Sequence, residues 1–239
     1  MTRTDTSAEL QDELSDVALA LFAPGTVEGT LQRIVELAVI TIDGCDAAGI
    51  FLVENERVTT TASSDPIVVE LDGLQFESDE GPCLDAMSQG TSFYAEDLAT
   101  DVRWLAFGPA ASAAGIRSLL AFPLVSHRLS ALNLYARLPA AYGATDRAKG
   151  LIFATLAGIA LGSAEQRADE ERRAENLHQA LLTRELIGQA QGILMERERV
   201  TAEQAFDVLR RASQHLNLKL REVAETLVET GQTPLVCGQ

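Results

Sequence analysis

Seven polar side chains near the C-terminal end of the chain have the chemistry to contact a nucleic acid. Four are cations that could neutralise phosphates, and three carry hydroxyl or amide groups that could hydrogen-bond base edges. The cations are Arg210, Arg211, Lys219 and Arg221, and the other three are Ser213, Gln214 and Asn217. Simpler explanations compete, because a charge cluster is often a solvated helix face, Asn217 could cap a helix and Ser213 could be a small packing residue.

A second group of candidates, in the first half of the chain, could line a ligand pocket. Its members are Asp79, Cys83, Asp85, Phe93 and Trp104. Pro82 fits the first position of a helix, so Cys83 would lie near a helix N-terminus, where a thiolate is stabilised. A buried structural thiol is the competing interpretation, helix capping explains the aspartates equally well, and a tryptophan is more often a core residue.

The familiar patterns of catalytic and metal sites do not occur in the sequence. There is no glycine-rich phosphate loop, no pair of catalytic carboxylates and no nucleophile elbow. The three cysteines and three histidines fall in no metal-ligand spacing. We therefore predict no catalytic residue, no metal site and no cofactor, and we expect the protein not to be an enzyme.

Charge is distributed unevenly along the chain, whose formal net charge is −16. Residues 1–159 hold 9 Lys or Arg against 22 Asp or Glu, whereas residues 184–221 hold 7 against 5, a net of +2. Such an acidic chain has no general positive field, so a nucleic-acid contact would need a local patch.

Cysteine usage and hydropathy indicate a cytoplasmic protein with no membrane contact. The three cysteines are widely separated, which suits a reducing compartment. The N-terminus is acidic where a signal peptide would be basic, and no apolar run reaches the ~18 residues of a membrane span. The longest apolar candidate, residues 151–164, is better interpreted as a core helix.

The first two thirds of the chain predict an α+β fold. Helices are expected at residues 7–23 and from Thr26, a candidate N-cap, to residue 42. Another short helix is expected at residues 104–114. Strands are expected at residues 48–53, 57–62, 91–95, 118–125 and 130–136. The order of these elements indicates an antiparallel sheet of five to six strands flanked by helices.

The last third of the chain predicts helices only. The simplest interpretation of Asp146 to Arg184 is a single long helix. The apolar residues on either side of its charged middle could pair two chains as a coiled coil. It enters a three-helix bundle, in which Thr201 and Gln204 form a capping box for the second helix. We expect Phe206 to face the bundle core, and Asn217 to cap a third helix at residues 218–230.

The predicted sheet region resembles a GAF domain over residues 26–166. The motifs that carry the likeness are Gly81-Pro82-Cys83-Leu84-Asp85-Ala86, Phe122-Pro123-Leu124 and Leu132-Asn133-Leu134-Tyr135. The resemblance implies a sensor that responds to a small molecule or a protein. The signature of the cyclic-nucleotide-binding members is missing, so a cyclic nucleotide is not carried over.

The helical tail closely resembles an ANTAR domain, the three-helix RNA-binding module of transcription antiterminators. The likeness rests on residues 187–195, IGQAQGILM, followed by Ala205-Phe206, Leu209-Arg210, Ser213, Asn217, Lys219-Leu220 and Val223-Ala224. It implies a homodimer that binds RNA hairpins in nascent transcripts. The seven polar side chains of the tail would then contact RNA.

These resemblances divide the chain into five segments. They are an N-terminal helix (1–25), a GAF-like sensor (26–166), a helical linker or coiled coil (167–183), an ANTAR-like domain (184–231) and a tail (232–239). The leading hypothesis is a signal-responsive RNA-binding antitermination regulator. A thiol-dependent enzyme that uses Cys83 and a protein-interaction scaffold are the alternatives, and duplex DNA binding is disfavoured by the apolar start of the third helix.

Overall fold

The computed structural model describes residues 15–54, 57–126 and 129–232. The chain forms two compact units, one up to Ala168 and one from Asp169 onward. We call the first the sheet domain and the second the helical unit.

The sheet domain contains one five-stranded sheet in which every neighbouring pair of strands is antiparallel. The strand order is β2-β1-β5-β4-β3. The strands are β1 (Ala47–Glu54), β2 (Arg57–Ser63), β3 (Phe93–Ala95), β4 (Ser118–Leu124) and β5 (Ser130–Ala136). The predicted α+β class and antiparallel sheet are confirmed.

Helices cover both faces of this sheet. They are α1 (15–21), α2 (Val27–Thr41), α3 (Ile67–Ser78), α4 (Pro82–Gln89), α5 (Phe107–Ala113) and the start of α6 (Ala144–Glu198). Leu132 and Leu134 of β5 pack in one core with residues of α1, α2 and α6, while Tyr135 packs in a second core with α3, α4 and α5. Every residue of β5 is buried, because successive side chains enter opposite cores.

Local capping agrees with the sequence at α2 but not in front of α4. The Thr26 hydroxyl accepts a hydrogen bond from Gly29 N–H at 3.0 Å, as predicted. Pro82 begins α4, also as predicted. Glu80 lies two residues before Pro82, but it accepts hydrogen bonds from the N–H groups of Ala106 and Phe107 at the start of α5 and does not cap α4.

Helix α3 was not predicted from the sequence. Its buried residues are Val68, Leu71, Asp72 and Gln75, so half of its inward side chains are polar. The apolar periodicity that normally reveals a helix is therefore weak in this segment.

The helical unit consists of the end of α6, α7 (Ala202–Leu216) and α8 (Leu220–Thr230). Its core contains Ala190, Leu194, Ala205, Leu209, Ala212, Val223, Ala224 and Leu227. The single long helix is confirmed, since α6 continues without interruption for 55 residues. The capping box is confirmed as well, with Thr201 N–H donating to the Gln204 side chain at 2.9 Å and Gln204 N–H donating to the Thr201 hydroxyl at 3.3 Å.

Two expectations for this bundle were wrong. Asn217 does not cap the third helix. It ends α7 in a left-handed conformation with φ 52°, which asparagine tolerates better than most residues, and Lys219 lies at the N-cap of α8. Phe206 does not face the core, because the inward face of α7 is already filled by Ala205, Leu209 and Ala212, and its side chain is 38% exposed.

One helix among the described residues is long and apolar enough to cross a membrane, and this helix is α6. Half of its apolar window is buried inside the protein. The core of the sheet domain contains Phe153, Ala157 and Leu161 of α6. Packing in this core accounts for the apolar composition of the helix.

Candidate functional site

The four candidate cations are all exposed on the surface of the helical unit. Arg210 forms an ion pair with Asp207 at 2.9 Å, and the Arg211 guanidinium donates to the backbone oxygen of Asp207 at 3.3 Å. Lys219 and Arg221 lie at the start of α8. An exposed pair such as Arg210 with Asp207 is worth little in water, so a phosphate can compete for the guanidinium.

The polar candidates on α7 and in the turn after it differ in their exposure and in their hydrogen bonds within the protein. The Gln214 side chain is exposed. The Ser213 hydroxyl donates to the backbone oxygen of Leu218 at 2.7 Å and so holds the turn between α7 and α8. Asn217 lies in this turn as the C-cap residue that follows α7, and it is exposed to solvent. The seven side chains thus lie on α7, on the turn after it and on the start of α8.

Three of the five pocket candidates in the sheet domain lie together. The Trp104 indole N–H donates to an Asp85 carboxylate oxygen at 2.8 Å, and the Phe93 ring lies edge-on to Trp104 with ring centroids 6.2 Å apart. The Arg103 guanidinium lies 4.2 Å from the centroid of the Trp104 ring. Trp104 is buried, so this cluster also forms part of the core.

The other two pocket candidates lie elsewhere. Asp79 is exposed and ends α3 in a left-handed conformation. Cys83 is fully buried, packs in a small apolar cluster with Phe51 and Met87, and donates its backbone N–H to the Gln75 side chain at 3.0 Å. Burial raises the pKa of the Cys83 thiol well above its usual value, against a smaller lowering by a hydrogen bond with Asn133. The expected activation by a helix N-terminus is therefore outweighed by burial.

A polar cluster inside the sheet domain was not predicted. Asp72 of α3 accepts hydrogen bonds from the Thr60 hydroxyl and, at 2.8 Å, from the Tyr135 phenol, which in turn accepts from the Asn133 amide at 3.2 Å. Burial raises the pKa of Asp72 to about 7, although its two hydrogen bonds oppose the shift. Two polar atoms beside this network, Nε2 of Gln75 and Oδ1 of Asn133, are buried without a hydrogen-bond partner among the described residues.

A weak signal for this cluster was present in the sequence. Asn133 stands between Leu132 and Leu134, so this polar residue interrupts an apolar run. Such an interruption is unusual in buried segments and marks a group that must be paired or used. Only the fold shows that Asn133 is linked to Asp72 through the Tyr135 hydroxyl, because Asn133 and Asp72 lie 61 positions apart in the chain.

Comparisons with known protein families agree with this geometry. The family model of the GAF domain matches residues 25–162, more than half of the chain. The chain belongs to the GAF family. The family model of the ANTAR domain matches residues 175–228, after the GAF domain. The sheet domain is thus the GAF domain, and the helical unit contains the ANTAR domain. The pairing supports a sensor-regulated, RNA-binding regulator.

Solved structures share the fold at low sequence identity. Free methionine-R-sulfoxide reductase from Neisseria meningitidis is 15% identical with a TM-score of 0.54, over 70% of this chain and 96% of that one. The GAF domain of a phosphoenolpyruvate-protein phosphotransferase from Coxiella burnetii is 13% identical with a TM-score of 0.51, over 66% and 96%. A bacteriophytochrome from R. palustris is 9% identical with a TM-score of 0.56, over 86% and 47%.

These structural likenesses show the fold and nothing of the chemistry, because a fold hosts many functions. No curated protein matches the chain. Within residues 15–54, 57–126 and 129–232, no three His, Cys, Asp or Glu side chains are grouped to hold a metal ion.

Proposed function

We propose that this protein is a transcription antitermination regulator in the cytoplasm, whose GAF domain senses a small molecule or a protein and whose ANTAR domain binds RNA hairpins as a homodimer. The observation that carries the proposal is the exposed set of cations on α7 and the start of α8, in a domain that belongs to an RNA-binding family. Loops of RNA hairpins offer both phosphates and unpaired base edges to such a surface.

Two copies are needed because one copy has little positive charge. Residues 184–221 have a net charge of only +2, which would give weak, salt-sensitive binding by a single domain. Leu177 and Leu181 of α6 are 64% and 57% exposed and lie one helical turn apart. Two such leucines on an exposed helix face supply the start of a pairing seam between two copies of the chain. Linking two RNA-binding domains raises their combined affinity without a new contact.

The signal is proposed to enter through the GAF domain and to travel along α6. The helix contributes Phe153 and Ala157 to the GAF core and Ala190 and Leu194 to the ANTAR core. A change in the packing of the GAF core could therefore act on pairing through residues of the same helix. The buried polar cluster around Asp72 is the place where a small polar ligand would find hydrogen-bonding partners.

RNA binding is tested with the full-length protein and a pair of RNA hairpins selected by the wild type from a pool with randomised loops. The variant Arg210→Ala with Lys219→Ala removes two exposed cations. We expect weaker binding in a gel-shift titration, and a slope of log affinity against log salt that is smaller by about two, one for each lost phosphate contact.

A matched control removes the same charge from another part of the helical unit. Arg172→Ala with Arg173→Ala changes two exposed cations of α6 outside the bundle core. We expect this variant to bind the RNA nearly as well as the wild type. Equal loss in both double variants would mean that only net charge matters, and unchanged affinity in the first would exclude the proposed site.

Dimerisation is tested separately, with Leu177→Glu and Leu181→Glu in one variant. We expect sedimentation to show a monomer and RNA affinity to fall, because charged residues in a pairing seam repel each other. A dimer of unchanged stability would show that these leucines do not form the pairing seam.

The scaffold alternative is tested by ribonuclease treatment. A protein bound to the ANTAR domain would stay bound after the RNA is digested, whereas a partner held through RNA would be released.

A further inference from the structure

Phe206 is an aromatic ring that α7 presents to solvent. Its side chain is 38% exposed, while its neighbour Ala205 and the next core residues, Leu209 and Ala212, are buried. A ring at this position adds little to the core of a bundle this small. A single exposed apolar side chain is common on protein surfaces, so the surroundings of Phe206 decide whether it has a role.

The position of Phe206 places it among the proposed RNA contacts. Phe206, Arg210, Ser213 and Asn217 follow one another along α7 at spacings of four, three and four residues. Residues at such spacings lie on one face of a helix. The ring therefore stands at the N-terminal end of the stripe that carries the proposed RNA contacts of α7.

A groove runs beside this ring, between α6 and α7 of the helical unit. Besides Phe206, its lining residues are Gln179, Ala180, Thr183, Arg184, Ile187 and Gln191. The Gln191 amide donates to the backbone oxygen of Ala202 at 2.9 Å, which holds this side chain across the gap between the two helices. The lining thus combines an aromatic face, an aliphatic side chain, hydrogen-bonding groups and one cation.

The chemistry of this lining suits a nucleotide. None of its seven residues carries a carboxylate, and Arg184 supplies a positive charge for a phosphate. A second depression of the same unit, lined by Gln189, Gly192, Ile193, Glu196, Arg197 and Val228, has a carboxylate and no aromatic ring. Asp207, which follows Phe206, is paired with Arg210 at 2.9 Å, so its charge is partly compensated.

We propose that an unpaired base of the RNA loop stacks on Phe206, with Arg184 placed to contact the phosphate beside that base. The proposal rests on the proposed function and adds to it a ligand class, a single-stranded nucleotide, for the groove between α6 and α7. Stacking on an aromatic ring tolerates any base, so Phe206 contributes affinity and the requirement for an unpaired loop rather than sequence preference. A duplex cannot offer a free base face to the ring.

The test compares two substitutions at the same position in the full-length protein, with the selected hairpin-pair RNA as the probe. Phe206→Leu keeps an apolar side chain without a π-face, and we expect RNA affinity to fall about tenfold. Phe206→Trp keeps the stacking face, and we expect near wild-type affinity with quenching of tryptophan fluorescence on RNA binding. The chain's single tryptophan, Trp104, is buried in the GAF domain, so wild-type protein gives the fluorescence baseline.

Three results would overturn the stacking proposal while leaving the proposed function intact. The first is unchanged RNA affinity in Phe206→Leu. The second is a Phe206→Trp variant that still binds RNA but whose fluorescence is not quenched. The third is a Phe206→Leu variant that no longer sediments as the dimer that the wild type forms. The last would show that a second copy of the chain occupies the groove. If the wild type selects no RNA from the pool, the proposed function and the stacking proposal both fail. A far-UV circular dichroism spectrum of Phe206→Leu that matches the wild type excludes misfolding as the cause of its lower affinity.

Discussion

The Tyr135 phenol donates a 2.8 Å hydrogen bond to the carboxylate of Asp72 in the interior of the GAF domain. The contact joins β5 to α3, the helix that apolar periodicity does not reveal. Asp72 is only 1% exposed, and burial raises its pKa to about 7. A carboxyl group that stays protonated up to about pH 7 in the folded domain makes the stability of this domain depend on pH.

The first prediction concerns the variant Asp72→Asn. In the unfolded chain Asp72 releases its proton near its usual pKa of 3.8, whereas the folded domain holds it to about pH 7. The folded state therefore binds more protons than the unfolded state between these values, and its stability falls as pH rises from about 4 to 7. An amide does not titrate, so Asp72→Asn should lose less stability between pH 5 and 8, by up to ~3 kcal/mol.

This pH dependence is measured by urea denaturation followed through the fluorescence of Trp104. The buried tryptophan belongs to the GAF domain, so its signal reports the unfolding of that domain alone. Asp79→Asn, at an exposed position, is the control and should keep the wild-type slope. Parallel pH profiles for Asp72→Asn and the wild type would show that Asp72 is ionised in the folded domain throughout.

The second prediction addresses the thiol-enzyme alternative. Cys45 and Cys83 are free and buried, and burial raises the pKa of Cys45 to about 12 and that of Cys83 well above its usual value. In a Cys237→Ser variant, which removes the third thiol, a thiol reagent at pH 8 should modify no cysteine of the native protein. Both cysteines should react after denaturation. Rapid modification of Cys83 in the native protein would support the enzyme alternative.

The third prediction tests the capping box of α7. Thr201→Ala removes the hydroxyl that accepts from Gln204 N–H, and should destabilise the ANTAR domain by about 1 kcal/mol. Thr226→Ala is the matched control, since its hydroxyl donates to the carbonyl of Glu222 inside α8 and ends no helix. We expect this control to be close to neutral. Far-UV circular dichroism of the full chain follows the loss of helix, and equal effects of the two variants would contradict a capping role.

The helical tail was recognised more completely from the sequence than the sheet domain was. Its capping box and the buried positions Ala205, Leu209 and Ala212 follow from spacing along one helix, which is a local property. Helix α3 was missed because Asp72 and Gln75 occupy inward positions. Asp72 is hydrogen-bonded to β2 and β5, and Gln75 accepts a hydrogen bond from the N–H of Cys83 in α4. No local pattern in the sequence indicates such distant partners.

The two errors in the tail have a related cause. Phe206 and Ala205 are adjacent, and hydrophobicity alone favours the larger side chain for the core. In the structure the alanine is buried in the core and the ring lies outside it. Asn217 is a good cap at either end of a helix, and the left-handed backbone at the end of α7 decided which helix it caps.

The sequence by itself determined the order of the two domains, the antiparallel sheet, the uninterrupted helix and the cations that we propose contact RNA, because periodicity, capping and charge are local properties of the chain. Tertiary structure alone decided that Cys83 is fully buried, that Asp72 accepts a hydrogen bond from Tyr135, and that Phe206 is exposed to solvent. Each of these depends on the surroundings of a side chain. Burial sets pKa values and exposure through groups distant in sequence, which no local pattern contains.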